Sequence, residues 1–281
     1  MRSKAWVFLL GVFCWGLTLG VASLSSAAEY QSKLDEVIAR GYVIVGTTNT
    51  VPPFGFIDKD SKQLVGFDID LGKLMATALF KDEKKVQFVV VANEARWASV
   101  QSGKIDCGLS GTTIYPERTL NVAFTRRYLD SGAGMIVRND SPIKHLADLN
   151  NEKYTVAVTT NPQMTERAHR YVPKAKVLTF PTNSDEFMAV QTGRADAAQL
   201  DIPSLRWLAA QSPGKFRILP EFVSELSSDG IWLRKGDFQW WLVLDTFVAE
   251  MLEGTLYPQY KAIYQKWMGE DPPPQRFYLA K

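Results

Sequence analysis

Cysteine and histidine are scarce in this 281-residue chain, which holds Cys14 and Cys107 and only two histidines, His145 and His169. Cys14 lies in an apolar N-terminal run. Once that run is removed Cys107 has no partner, so no intramolecular disulfide is expected. Asp106-Cys107-Gly108-Leu109 has the character of a buried strand, where a free cysteine is more often packed than nucleophilic. His145 and His169 stand in polar helical contexts without a second ligand, so neither a metal site nor a serine triad is expected, and no cofactor is called for. An excess of one charge is also lacking. The formal net charge is +2, and its surplus is Arg2 and Lys4; without residues 1–28 there are 30 basic residues against 30 acidic. Such a balance gives no electrostatic footprint for nucleic acid or an anionic membrane. Beyond the N-terminus no apolar run reaches spanning length, since Trp240 to Leu244 is soon broken by Asp245.

What the N-terminus does have is the pattern of an export signal. Arg2 and Lys4 precede an apolar stretch from Ala5 to Val21, followed by small residues from Ser23 to Ala28. Ser26 and Ala28 satisfy the small-x-small rule, which puts cleavage before Glu29. A transmembrane anchor is the rival, disfavoured by the short core and the cleavable flank. The mature chain is expected to be soluble and periplasmic.

Apolar periodicity then alternates between strand and helix. Helices are expected at Ser32 to Arg40, Ile69 to Leu79 and Trp97 to Ser102, and strands at Tyr42 to Gly46, Val86 to Val91 and Ile105 to Leu109, with a loop over Thr47 to Phe56. The alternation restarts after Gly132. Strands are expected at Gly132 to Val137, Thr155 to Val158, Lys176 to Phe180 and Ala195 to Leu200, with helices at Ile143 to Leu149, Thr165 to Tyr171 and Ser184 to Thr192. Ile231 to Leu233 is a strand, and two amphipathic helices, Phe238 to Glu253 and Tyr257 to Trp267, close the chain. Such alternation argues for an α/β protein with a mainly parallel sheet in each of two lobes, ligands lying beyond the carboxyl ends of the strands.

Two places could carry chemistry. Ser110-Gly111-Thr112-Thr113-Ile114-Tyr115-Pro116-Glu117-Arg118 follows a strand and is expected to open a short helix, with Pro116 in its first turn. Gly111 lets a ligand approach the backbone, Thr113 offers a hydroxyl, and Arg118 offers a fork for a carboxylate. A surface arginine is the other use of Arg118. Asp201 ends an apolar strand, where its carboxylate can meet a ligand ammonium or cap the helix from Leu205 to Ala210.

Gly103-Lys104-Ile105-Asp106, continuing through Thr113, Glu117-Arg118 and Ala123-Phe124, resembles the signature of the family 3 bacterial extracellular solute-binding proteins. Pro53-Phe54, the run Val65-Gly66-Phe67-Asp68-Ile69-Asp70-Leu71, Gly193-Arg194-Ala195-Asp196-Ala197 with Asp201, and Tyr264-Gln265-Lys266-Trp267 resemble it in order. The resemblance implies a two-lobed type II periplasmic-binding-protein fold with two hinge strands. Lobe one would be residues 29–130 plus 230–281, lobe two 134–224, and the hinge would lie near 130–134 and 224–230. It implies that Arg118 and Thr113 grip an α-carboxylate while Asp201 takes the α-ammonium from the other lobe. The function implied is capture of an amino acid or related carboxylate by a monomer that delivers it to an ABC permease of the inner membrane.

Ala95-Arg96-Trp97 and Asp271-Pro272-Pro273-Pro274 are most similar to the glutamate/aspartate-binding branch, which implies a ligand contact for Arg96. Thr48 and Asn183 stand where that branch has further cationic groups, so a polar or neutral ligand is expected rather than a dicarboxylate. Phe54 is a further expected contact. Asn161 and Pro162 replace residues whose N–H groups help hold the carboxylate in the family, so either Gln163 compensates or the ligand is a carboxylate other than a standard α-amino acid. The rival from another class is an enzyme resembling the cyclohexadienyl dehydratases, but Ser204 stands where they have a glutamate acid, so catalysis is not expected.

Overall fold

Two tetrapeptides of the same make, Gly103-Lys104-Ile105-Asp106 and Gly193-Arg194-Ala195-Asp196, each stitch a strand into a sheet. Both glycines follow a helix in the left-handed region, at φ 75° and 77°, which a side chain rarely tolerates. Each aspartate then clamps the backbone of a neighbouring strand. Asp106 donates its N–H to the Ile44 carbonyl at 2.8 Å and accepts the Ile44 N–H on Oδ2 at 2.6 Å. Asp196 does the same to Thr155, both bonds being 2.8 Å long.

The computed structural model describes residues 32–224 and 227–274, so the expected signal segment lies outside the described residues. The chain runs through α1 (Lys33–Arg40), β1 (Val43–Thr47), a meander of β2 (Thr50–Val51), β3 (Gly55–Ile57) and β4 (Leu64–Val65), then α2 (Phe67–Phe80) and β5 (Val86–Val90). Next come α3 (Arg96–Gln101), β6 (Cys107–Gly108) and β7 (Ala123–Ser131). Gly132 alone separates β7 from β8 (Ala133–Arg138), which leads into α4 (Leu146–Leu149), β9 (Thr155–Thr159), α5 (Pro162–Tyr171) and β10 (Lys176–Phe180). The chain continues through α6 (Asn183–Gln191), β11 (Ala197–Asp201), α7 (Ile202–Gln211), β12 (Phe216–Ile218), β13 (Ser227–Leu233), α8 (Phe238–Glu253) and α9 (Tyr257–Met268).

These strands form two five-stranded sheets, ordered β5-β1-β6-β13-β7 and β10-β9-β11-β8-β12. The chain passes from the first to the second at Gly132 and returns between β12 and β13. Mainly parallel sheets are therefore not what is found. β13 runs antiparallel to β6 and β7, and β8 runs antiparallel to β11 and β12. A parallel neighbour needs a helical crossover, whereas β8 and β13 enter their sheets directly from the other sheet. The expected loop over Thr47 to Phe56 also contains β2 and the start of β3, paired Thr50 to Phe56 and Val51 to Gly55. Strands this short are invisible to periodicity.

Each sheet has its own core. Val43, Val45, Phe67, Met75, Trp240 and Met251 pack with α2, α8 and α9 on the first, and Cys107 is buried there without a partner. Two clusters, around Val137 and Val156 and around Ile136 and Leu205, cover the faces of the second. The first and last of the family-like motifs meet directly: Trp267 Nε1 donates to Asp70 Oδ2 at 2.8 Å, and Lys266 pairs with the same oxygen at 2.6 Å. No helix among the described residues is long and apolar enough to cross a membrane.

Candidate functional site

The segment after β6 owes its shape to a glycine and a buried aspartate. Gly111 has φ 53°, and a Cβ there would stand 2.9 Å from the Phe54 ring, so a side chain is excluded on two grounds. Its N–H donates inward to Asp68 Oδ2 at 2.7 Å, and Tyr128 Oη donates to Asp68 Oδ1 at 3.0 Å. Burial pushes the Asp68 carboxyl up to about 7, against both hydrogen bonds and the charge of Arg96. The Gly111 N–H is thus already used, and what Gly111 contributes is backbone proximity.

The expected helix after Pro116 is a single 3-10 turn, Arg118–Leu120. It turns Arg118 back so that Nη1 donates to the Thr113 carbonyl at 2.7 Å and Nη2 to Gln163 Oε1 at 3.2 Å. The guanidinium also lies 4.9 Å from the centre of the Tyr115 ring. Burial lowers the Arg118 pKa, opposed by Tyr115 and by the carboxylates of Asp201 and Asp229. A surface arginine would show none of this.

Asp201 occupies the N-cap position of α7 yet makes no capping hydrogen bond, which separates the two uses open to it in the sequence. Its carboxyl turns to the same cavity as Arg118, of about 430 Å³. Burial raises its pKa, while Arg167, Arg118 and Arg96 pull it down. Arg96 opens α3 and donates to Thr112 Oγ1 at 3.3 Å, while its Nε has no partner. Burial and then the charge of Arg118 lower its pKa to about 10, which leaves it charged at neutral pH.

Arg118, Thr113, Gly111, Asp201, Arg96, Gln163 and Asn183 all line this cavity. Thr48 and Phe54 do not. Thr48 is buried at the turn into β2, its Oγ1 accepting the Thr50 N–H at 3.4 Å. Phe54 is wholly buried beneath Gly111 as part of the first core. Pro162 starts α5, and Asn161 caps it by accepting the Gln163 N–H at 3.1 Å. The Gln163 side chain, not the loop backbone, is what reaches Arg118.

Sequence reasoning missed three acidic or amide groups. Glu186 and Gln199 line the cavity, and Asp229 lies beside Thr113. Burial, then the charges of Asp201 and Asp68, push the Asp229 carboxyl well up. Glu186 carried a usable signal: with Ala189 and Val190 it falls on the buried face of α6, where a carboxylate is out of place. No group of three or more metal-ligating side chains occurs among the described residues.

Two sheets joined by crossing strands, with an arginine and a carboxylate facing one cavity from opposite sides, define a two-lobed binding fold of type II. The chain belongs to the bacterial extracellular solute-binding proteins, family 3, whose model matches residues 43–270. It is similar to the ABC transporter glutamine-binding protein GlnH of Bacillus subtilis, with 29% identity over 90% of this chain and 92% of the relative. Among solved structures it resembles an ancestral amino acid-binding protein, a precursor of cyclohexadienyl dehydratase, with 34% identity and TM-score 0.73 over 84% of this chain and 99% of that one. An ancestral arginine-binding protein bound to glutamine shares 33% identity at TM-score 0.71, covering 82% of this chain and 99% of that one.

Proposed function

We propose that the protein captures an amino acid between its two lobes and hands it to an ABC importer, acting as a monomeric periplasmic binding protein rather than an enzyme. The observation that carries this is the opposition of Arg118 and Asp201. One comes from the segment after β6 of the first sheet and the other from the end of β11 in the second. A solute bearing both a carboxylate and an ammonium bridges the two, and one bearing a single charge leaves a buried group unpaired. The lobes are taken as residues 29–130 plus 230–281 and 134–224, hinged near 130–134 and 224–230, in keeping with the crossings at Gly132 and before β13. Names of relatives that include amino acids and ABC transporters support the same reading. Against catalysis, Ser204 is buried, its hydroxyl lacks a partner, and it is not among the residues lining the cavity.

The deciding experiment is a thermal-shift screen of the mature chain against amino acids and small carboxylates, since a ligand that binds only the folded state raises its melting temperature. A polar or neutral amino acid is expected to do so more than glutamate. Arg118→Ala and Asp201→Ala should each abolish the shift while leaving circular dichroism unchanged; near-wild-type affinity in either would overturn the site. Incubated with prephenate or arogenate, the same samples should release no product.

A further inference from the structure

Glu186 is the one carboxylate of the cavity wall that is 1% exposed and has neither oxygen in a hydrogen bond. It sits on the first turn and a half of α6, whose N-terminus is held by Thr182 accepting the Asp185 N–H at 3.1 Å. The charges acting on it are those of Asp201 and Asp185, both carboxylates, which together with burial push its pKa well up. Across the same wall Gln199, 2% exposed, spends its amide nitrogen on the Met164 carbonyl at 3.3 Å and leaves Oε1 unpaired. On the second-sheet side of the cavity Glu186, Gln199 and Asp201 thus put three acceptors into one lining, while the cations Arg96 and Arg118 lie on the first-sheet side.

A buried acceptor without a donor costs free energy that a bound solute can return by supplying the donor. Arg118 and Asp201 already match the two charges common to all α-amino acids. Glu186 is then a third partner, a carboxyl that ionises when a cation faces it, with nothing in the α-amino-acid core to meet it. Because the charges acting on it are those of Asp201 and Asp185, its place in the lining favours a group that is positive as well as donating.

We infer that Glu186 selects the solute's side chain, and that the solute is an α-amino acid whose side chain ends in a guanidinium or ammonium group, held by Glu186 with Gln199 accepting alongside. This rests on the amino-acid-capture reading above and narrows its polar class to basic amino acids. The three contacts divide the work: Arg118 takes the carboxylate, Asp201 the α-ammonium, and Glu186 the cation at the far end.

L-arginine and L-citrulline, nearly equal in shape and differing in charge, provide the test by calorimetric titration of the mature chain. The wild type should bind arginine about tenfold or more tighter than citrulline, the discrimination expected when a buried ion pair is completed. Glu186→Gln should erase most of that preference by weakening arginine alone, leaving citrulline within about threefold of its wild-type affinity. Glu186→Met serves as the second variant, and neither should melt lower than the wild type without ligand, because an unpartnered carboxyl is being removed. Equal wild-type affinities for the two probes, or an unchanged preference in Glu186→Gln, would overturn the assignment. So would loss of both probes together with a lowered melting temperature in both variants, which marks a structural group. If the wild type binds glutamine or another neutral amino acid but not arginine, amino-acid capture stands and the role of Glu186 falls. If it binds no amino acid at all, both fall.

Discussion

Asp68 holds the cavity-lining segment in place from behind, and it does so as a carboxyl whose pKa has risen from 3.8 to about 7. Between these values the native protein binds a proton that the unfolded chain lacks. The contribution of Asp68 to stability is full below pH 4 and is lost as pH climbs to about 7, by at most about 1.4 kcal/mol per pH unit. Asparagine can still accept the Gly111 N–H and can donate to Tyr128, so Asp68→Asn removes the titration and keeps the geometry. The stability of the variant relative to the wild type should rise from pH 4 to 7 and then level off, as followed by urea denaturation at each pH. Parallel stability curves would mean that Asp68 is ionised throughout.

At the scale of elements, the paired clamps of Asp106 and Asp196 explain why two tetrapeptides of similar sequence recur in one chain. Asp106 also pairs with Arg40 and is within 3.8 Å of the Lys33 ammonium, whereas Asp196 holds only backbone. Asp106→Ala should therefore cost about 3 kcal/mol, leaving the Ile44 N–H unpaired and removing the buried carboxylate that Arg40 and Lys33 face, against about 1–2 kcal/mol for Asp196→Ala. Both costs are to be read as shifts in urea midpoint at constant slope. Helices such as α1 were legible because Ser32, Gly41 and the apolar stripe between them agree. β2, β3 and the turn at Arg118 were not, since two or three residues hold no period. For the site, residue type and strand-end position pointed to Arg118 and Asp201. Glu186 was less legible, because only its spacing to Ala189 and Val190 marks it as facing inward on α6. Phe54, in contrast, was expected in the cavity and packs under its floor.

For the whole molecule, the first-sheet and second-sheet sides are joined by polar bonds and by the ring pair of Phe56 and Trp207, whose centroids lie 5.1 Å apart. Ser184 Oγ donates to the Thr50 carbonyl at 3.1 Å, Arg167 to Tyr115, Arg118 to Gln163, and Arg206 pairs with Glu270 at 2.6 Å with both side chains more than half exposed. Exposed ion pairs of this kind are worth about 0–1 kcal/mol, so a bridging solute would strengthen closure. Small-angle scattering should then show a smaller radius of gyration with saturating ligand than without. Asp201→Ala should show no such change, and a decrease in that variant would place the closing contact elsewhere. The bond from Gln163 to Arg118 has a consequence of its own. It makes Gln163 a tethered competitor for the guanidinium, present at a high local concentration whenever the lobes meet. A solute must displace a neutral amide, which a carboxylate does with about twice the bond strength and an alcohol or amide does not. On the proposed reading, the arginine would screen solutes by competition rather than by shape.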